Sequence, residues 1–477
     1  MATAAGTAIS GRASAYLYRA VWRWHFYAGI CVLPFVLVLA LSGLAMLASE
    51  PLDRYLHAEL LHVTPAVTRL SASAQVAAVA NAYPDAEVTT LTAGLAADES
   101  VPISIVPKHA DATHGGGHGA SGAVTVHVDP YTAAVLGELD ENRTFYAWAK
   151  RLHGTLLLGI AGDYVIEIAA GFGVLLVVTG LYLWWPRDGR TLQRALLPSV
   201  AGAGHRRWRN LHAALGAWVA PLLLFFLVSG LAWTPFWGGA LVQTWSSLPG
   251  EAFDAPLAEA THASLEHGAH HGVPWAVEQT PLPASRSERD PASVAIDRPF
   301  TVDDVIDYAR AAGFAKFRVH FPRGDQGVWT VASTTIGGDT RELDGDRIVH
   351  LDAATGDVLA DIRFEDYSPM GKLMAAGIPL HQADTGLANL VVNVLFCLAV
   401  IGMGAAAVAA WWARRPTGAR RLVPPPLPRD MRIWRTAVVL MLALSVAFPL
   451  VALTIAAVLA ADFLLLKRVR ALKLFFG

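Results

Sequence analysis

One apolar segment of membrane-spanning length occurs twice in this 477-residue chain, with its marker residues in register. Trp22–Ala45 begins W-R-W-H-F-Y-A-G-I-C-V-L-P and ends L-S-G-L-A. Arg209–Ala232 begins R-N-L-H-A-A-L-G-A-W-V-A-P and ends V-S-G-L-A. At one constant offset His25 matches His212, Gly29 matches Gly216, Pro34 matches Pro221, and Ser42-Gly43-Leu44 matches Ser229-Gly230-Leu231. A repeat on this scale sets the architecture before any local propensity does. It predicts two helices that each carry a histidine at the same end and the same depth.

The repeat extends beyond these helices. Val126-His127-Val128-Asp129, followed by Val135-Leu136-Gly137-Glu138, recurs as Val349-His350-Leu351-Asp352, followed by Val358-Leu359-Ala360-Asp361. Leu152-His153, leading into an apolar run that closes with Trp184-Trp185, recurs as Leu380-His381 with Trp411-Trp412. The second spacing is shorter by one residue. The repeating unit is helix, soluble segment, histidine, helix. Parallel repeats of this kind pack about an axis along the membrane normal.

Hydrophobic residues make up 54% of the chain and charged residues 16%, which suits a membrane protein. The net charge of −2 gives no global field that would attract nucleic acid. Apolar runs near 24–48, 164–185, 213–236 and 387–412 each reach the span of about 20 residues that a bilayer requires. The first run is longer than the apolar core of a signal peptide, although Ala45-Met46-Leu47-Ala48 imitates a cleavage site, so it reads as an uncleaved helix. The stretch 434–466, divided by Pro449 and followed by Lys467, Arg468, Arg470 and Lys473, reads as a tight hairpin giving six spans. A single tilted helix giving five spans is the alternative.

Arginine placement orients the chain. Arg12, Arg19 and Arg23 precede the first helix. Arg187, Arg190, Arg194, Arg206, Arg207 and Arg209 lie between the second and third, and Arg414, Arg415, Arg420, Arg421, Arg429 and Arg432 follow the fourth. These segments are expected on the cytoplasmic side. The long segments 49–150 and 238–378 are then expected outside, in the periplasm of a bacterium. The predicted division is 1–48, tail and first helix; 49–150, first outer domain; 151–237, second and third helices with their link; 238–378, second outer domain; 379–415, fourth helix; and 416–477, link and C-terminal membrane hairpin.

Each outer segment reads as a small α+β unit. The first predicts a helix over Ala72–Ala82 and strands over Glu87–Thr92, Val101–Val106, Val124–Val128 and Ala134–Leu139. The second predicts a helix over Val302–Ala312, opened by a capping box in which Asp304 takes the Glu/Gln place. Its strands are expected over Phe317–Phe321, Val328–Ser333, Arg347–Leu351 and Val358–Ile362. Both domains carry a histidine-rich insertion. One holds His109, His114 and His118; the other holds His262, His267, His270 and His271. Such tracts are candidate copper or iron sites, or polar loops that take metal adventitiously.

The four helix-end histidines form the main candidate site. His25 and His212 fall at the cytoplasmic level, and His153 and His381 at the outer level, so a four-helix core would hold one level pair at each face. Ionisable residues at membrane depth are functional candidates by default. Haem iron takes histidine as an axial ligand, and helix bundles hold cofactors between facing helices. Two b-type haems per chain, ligated by His25/His212 and His153/His381, are the expectation. His57 and His62 compete for the outer site and His205 for the inner one. His127, His320 and His350 lie in expected strands and read as residues of those domains. Cys31 and Cys397 lie in apolar runs and read as buried thiols, and the chain has no C-x-x-C-H motif for covalent haem. The Trp-Trp pairs read as interfacial belts.

The combination W-x-W-H-x3-G…S-G-L, then V-H-V-D-P-x-T-A-x-V-L-G, then L-H…G-L-Y-L-W-W-P-R resembles the PepSY-associated transmembrane family over residues 15–415. The resemblance implies an α-helical membrane protein with two-fold internal repeat, a four-helix core and two periplasmic PepSY-like domains. It also implies membership of a group that includes iron-regulated inner-membrane proteins, some of them ferric-siderophore reductases with b-type haems. It places His25, His153, His212 and His381 at the matching helix-end positions. The implied partners are membrane lipids, a ferric siderophore or other metal chelate, and an electron donor that is either a quinol or a cytoplasmic reductase. No Rossmann, P-loop or Ser/His/Asp signature is present. Two other readings stay open: a cupric reductase fed by the His-rich loops, and a non-enzymatic membrane sensor, protease inhibitor or metal-binding protein.

Overall fold

The computed structural model describes residues 2–108, 123–187, 191–197, 203–249, 255–265, 272–285, 299–416 and 446–461, together with Phe253, Leu422 and Val439. The first segments are α1 (Ala2–Leu47), α2 (Ser49–Leu56), α3 (Ala58–Leu61), α4 (Ala72–Ala82), β1 (Ala86–Ala93), β2 (Val101–Pro107), β3 (Val124–Val128) and β4 (Val135–Leu139). Next come α5 (Phe145–Thr155), α6 (Ile160–Trp184), α7 (Leu192–Leu196), α8 (His205–Leu231), β5 (Leu257–Thr261) and β6 (Pro281–Pro283). The remainder is α9 (Val302–Ala311), β7 (Phe317–His320), β8 (Val328–Ser333), β9 (Arg347–Asp352), β10 (Val358–Arg363), α10 (Pro369–Gln382), α11 (Leu387–Arg414) and a last described helix, Pro449–Ala461.

These elements divide into two units. The first comprises residues 1–44, 151–241 and 394–477, and the second residues 45–150 and 242–393. Each is internally compact.

The first unit is helical and contains most of the four helices that are long and apolar enough to cross a membrane: Tyr16–Leu47, Ile160–Trp184, His205–Leu231 and Leu387–Arg414. Small residues let them approach. A Cβ at Gly173 on α6 would come 3.0 Å from the Leu227 side chain on α8, and one at Gly404 on α11 would come 2.8 Å from Leu33 on α1. Ala170, Val174 and Val177 of α6 pack against Ala220, Leu227 and Leu231 of α8. Ala40 of α1, Val219 of α8, and Phe396, Cys397 and Val400 of α11 form a second cluster. There Phe226 stacks on Phe396 with ring centres 4.3 Å apart. Pro34 and Pro221 sit inside continuous helices, as membrane helices tolerate when neighbours cover the freed backbone. Glu167, buried on α6, accepts from the backbone N–H groups of Phe236 and Trp237 at 3.0 Å each and so ties down the chain leaving α8. Helix Pro449–Ala461 packs on α6, where Gly171 leaves room for Val451. The rest of the expected C-terminal hairpin lies outside the described residues.

The second unit is α+β. All eight long strands form one antiparallel sheet in the order β10-β9-β8-β7-β1-β2-β3-β4. The two segments between the spans therefore share a sheet, joined where Thr90–Ala93 of β1 pairs with Phe317–His320 of β7. The fourth strand of each segment is at an edge and the first of each is at the centre. Alternation decides the core face. Leu91, Ile103, Val126, Val319, Val331 and Val349 point to one side, where α4 and α9 cover them. Helix α9 buries Val302, Val305, Ile306 and Ala309, a helical stripe. Asp304 accepts from the Thr301 N–H at 2.9 Å and the Thr301 hydroxyl at 2.7 Å, closing the expected capping box. Asp303 of α9 reaches across to accept from the N-terminal N–H of Ala72 at 2.7 Å, so one helix caps the other.

On the opposite face a strap carrying β5 and β6 lies on the second half of the sheet. Its anchor is a pair of buried imidazoles. His262 Nδ1 lies 2.7 Å from the Thr280 carbonyl, an acceptor only, so it carries the proton. His262 Nε2 must then accept, and His350 Nε2–H donates to it at 2.9 Å. His350 Nδ1 in turn accepts from the Thr330 hydroxyl at 2.9 Å. Both rings are fully buried and neutral, with every nitrogen satisfied.

Burial lowers His262 to about 4, against the opposing pull of its bond to Thr280. Burial also pushes His350 well below the ordinary imidazole range, with His262 and His320 acting the same way. The unfolded chain takes up these protons near 6.5, so the contribution of the neutral pair to stability is complete above that pH. It shrinks as the pH falls from about 6.5 towards about 4. The melting temperature of the full chain, followed by tryptophan fluorescence, is expected to fall across this window and to fall less steeply in His262→Gln. Equal pH slopes in the two proteins would contradict the assignment.

Candidate functional site

The first unit brings two of the four predicted histidines together. His25 of α1 and His212 of α8 lie edge to face, with ring centres 6.3 Å apart and planes inclined by 64°. Their hydrogen bonds fix which nitrogen holds the proton. His25 Nδ1 lies 2.9 Å from Thr179 Oγ1, and the Thr179 hydroxyl gives its own proton to the Leu175 carbonyl at 2.7 Å. Thr179 can therefore only accept from His25, which makes Nδ1 the protonated nitrogen. His212 Nδ1 lies 3.1 Å from the Met403 carbonyl on α11, which likewise only accepts. Both rings are Nδ1–H tautomers, and in both Nε2 carries the lone pair. Beside them the chain is trimmed to glycine, because a Cβ at Gly180 would come 3.2 Å from His25 Cε1.

His153 has the same construction. Its Nδ1 lies 3.0 Å from Ser42 Oγ, and the Ser42 hydroxyl donates to the Val38 carbonyl at 2.7 Å. Gly43 lies against the ring: a Cβ there would be 3.7 Å from His153 Cε1. Residues 25 and 42 are on one continuous helix. At about 1.5 Å rise per residue, that sets the two imidazole levels roughly 25 Å apart along α1. His153 is not part of the spanning helix that follows. It sits on α5, separated from α6 by Leu156 and Leu157 in left-handed conformation, φ 51° and 59°. His381, in the second unit, is on the short helix α10, which ends at the left-handed Ala383 before α11 begins. Asn393 fastens this corner by donating to the carbonyls of Leu380 and His381 at 3.0 Å each.

The competing histidines are placed differently. His205 Nδ1 bonds to the Ala410 carbonyl at 2.9 Å near the start of α8. His62 is partly exposed, 3.9 Å from Asp98, and His57 caps the end of α2. Of the histidine-rich insertions, His109, His114, His118, His267, His270 and His271 lie outside the described residues. His262 has both nitrogens engaged within the protein, by Thr280 and His350. Among the described residues no three His, Cys, Asp or Glu side chains gather closely enough to hold a metal ion.

The ring-centre separation of the pair is one that two imidazoles sharing a metal ion could adopt. An ion about 2 Å from each of two facing imidazole nitrogens holds the ring centres roughly 6 Å apart. A ligating histidine also needs its second nitrogen fixed by an acceptor, which orients the ring and makes it a better donor. The hydroxyls and the carbonyl that do this were not apparent as site residues in the sequence. The signal that could have found them is a triplet. Ser42-Gly43-Leu44 and Thr179-Gly180-Leu181 both offer a hydroxyl to hold the ring and a glycine to admit it. The family model for the PepSY-associated TM region matches residues 22–414.

The chain belongs to the PepSY-associated transmembrane family. No curated protein matches it. In this PepSY-associated chain the matched region runs from Trp22, three residues before His25, to Arg414 at the end of α11. It therefore contains all four helix-end histidines and the whole eight-stranded sheet.

Thr179→Val removes the acceptor for His25 and leaves a buried N–H without a partner. Loss of such an outer partner typically weakens metal ligation by about 10–100-fold. If the pair holds haem, titration of the purified protein with haemin is expected to show this loss in Thr179→Val and near-normal affinity in Thr179→Ser. Identical affinity in Thr179→Val and the parent would show that the hydroxyl does not position the ring.

Proposed function

We propose that the chain is a bacterial inner-membrane haem b metalloreductase that carries electrons across the membrane to a ferric siderophore on the periplasmic side. The observation that carries this reading is the His25–His212 pair, two imidazoles 6.3 Å apart, each with its proton pinned on Nδ1. His25 and His212 would hold one b-type haem, and His153 and His381 the second. Haem bound in this way supplies reversible one-electron chemistry.

The chain's own residues supply the rest. Thr179, Ser42 and the Met403 carbonyl orient the rings. Glycines 43 and 180 keep side chains away from them. The stacked Phe226–Phe396 cluster excludes water from the middle of the bundle. The arginine-rich links favour an orientation with His25 and His212 towards the cytoplasm, where a quinol or a cytoplasmic reductase would deliver electrons. The sheet unit would face the chelate. Iron(III) reduced there is softer and carries less charge, so hard-donor siderophores release it. The two-fold repeat then reads as one level of imidazoles for each membrane face.

The purified protein, reduced with dithionite under argon and freed of excess reductant, is to be mixed with a ferric hydroxamate in the presence of an Fe(II) indicator. The reading predicts reoxidation of the protein with stoichiometric capture of Fe(II), markedly slowed in His212→Ala, which removes one of the proposed haem ligands. Failure of ferric chelates to reoxidise the reduced protein, with cupric salts doing so, would transfer the activity to copper. Failure of both would remove the reductase reading.

A further inference from the structure

Among the described residues the construction seen at the membrane histidines recurs in the sheet unit, at a residue for which the proposed reductase has no use. His127 of β3 is 4% exposed. Its Nδ1 lies 2.9 Å from Ser100 Oγ, and the Ser100 hydroxyl donates to the Leu60 carbonyl at 2.6 Å. A hydroxyl has one proton, and this one is given to Leu60. Ser100 must therefore accept from His127, which makes Nδ1 the protonated nitrogen and Nε2 a bare lone pair. That Nε2 is buried and has no hydrogen-bond partner among the described residues. A buried lone pair without a donor is unfavourable and rare in a folded protein.

The other half of the sheet shows what such a position takes. His350 occupies the corresponding place in the sequence repeat, and its Nε2 is met by the imidazole of His262. Among the described residues no strap imidazole meets His127. The corner between α2 and α3 lies over it instead. Leu60 of α3 supplies the carbonyl that orients Ser100, and Gly137, the β4 partner of His127, leaves room for the Leu60 side chain. His57 caps α2 at the same corner, which Asp53 fixes by accepting from the N–H groups of Phe145 and Tyr146 at 3.0 and 3.1 Å. His57 and Glu141 are both near enough for their charges to act on His127. Glu141, held at 2.8 Å by the Thr125 hydroxyl, contributes negative potential.

We propose that His127 Nε2, with His57 as the second imidazole, binds one borderline transition-metal cation of the Cu(II) or Zn(II) class. The donor set is chemically suited: imidazole is a ligand for both ions, and the acceptor on Nδ1 is the outer partner that ligating histidines require. Burial lowers His127 to about 4, with Glu141 opposing and His57 reinforcing, so the ring is neutral at pH 7 and no proton need leave Nε2. No three protein ligands converge among the described residues. Two imidazoles therefore make an open site whose remaining positions go to water or to donors that arrive with the metal. Such a site exchanges its ion and does not lock it in. It would hold metal on the sheet unit independently of the membrane histidines.

The test uses the full chain in detergent, in a background where His109, His114, His118, His267, His270 and His271 are alanine, so that the insertions cannot answer for it. Cu(II) is titrated and followed by electron paramagnetic resonance, with Zn(II) competition. The expected result is one ion per chain with nitrogen hyperfine coupling, lost in His127→Ala and weakened in His57→Ala. Ser100→Ala keeps the ligand ring but removes its outer partner, and is expected to weaken binding by about 10–100-fold. Circular dichroism and the haem spectrum identify any variant that has not folded. No ion bound in the parent background, undiminished binding in folded His127→Ala, or unchanged affinity in Ser100→Ala would overturn the proposal, the first leaving His127 Nε2 to an ordered water.

Discussion

A histidine inside an apolar helix bundle is useful only if one of its nitrogens is fixed by the protein, and this structure fixes it in a single recurring way. A hydroxyl or carbonyl that cannot donate is placed against Nδ1. For Thr179 and Ser42 the inability to donate is itself a product of the helix, because each hydroxyl is already given to the carbonyl four residues earlier. Backbone geometry of α6 and α1 thereby sets the protonation of rings on α1 and α5. The close approach also suits a glycine beside each hydroxyl, most tightly at Gly180, where a Cβ would come 3.2 Å from His25 Cε1.

The sheet unit solves a different problem. Two small α+β segments with four strands each would leave β1 and β7 as edges, and an unpaired edge invites association. Pairing β1 with β7 removes both edges at once and lets α4 and α9 share a core. The polar residues on the opposite face follow a row across the strands: His350 pairs with Thr330, Thr330 with His320, His320 with Thr90, Thr90 with Ser104 and Ser104 with Thr125. Buried polar rows are tolerated when each member finds a partner. Thr330 bonds to His350, Thr90 lies 3.3 Å from His320, and Thr125 bonds to Glu141.

Much of this was legible from residue patterns. The four spans follow from apolar runs, and the strands from short β-branched segments between turns; Val124–Val128 and Val328–Ser333 have the bounds that the sequence predicts. Helix α9 follows from its capping box and its stripe. Partner choice was not legible. Alternation tells β1 and β7 which face to bury but not that they are neighbours, because they lie far apart in sequence. The strap was also hidden, since β5 and β6 are short and β6 begins and ends in proline. His262 reads in sequence as the start of a histidine-rich loop, whereas its position in a buried turn opposite His350 depends on the sheet. The break between α5 and α6 falls at two leucines with positive φ, residues that ordinarily continue a helix, so nothing local announces it. Thr179 reads as one polar atom in an apolar span until the ring of His25 is placed beside it.

The central claim is that the imidazoles His25 and His212 are a ligand pair for haem. Its most direct test is the oxidised and dithionite-reduced absorption spectrum of the purified protein, with pyridine haemochrome quantification, for the parent and for His212→Ala. The account predicts a low-spin b-type spectrum at about two haems per chain, falling to about one in the variant. A protein that stays colourless when expressed with ample haem, or a variant that keeps the full haem content, would contradict it.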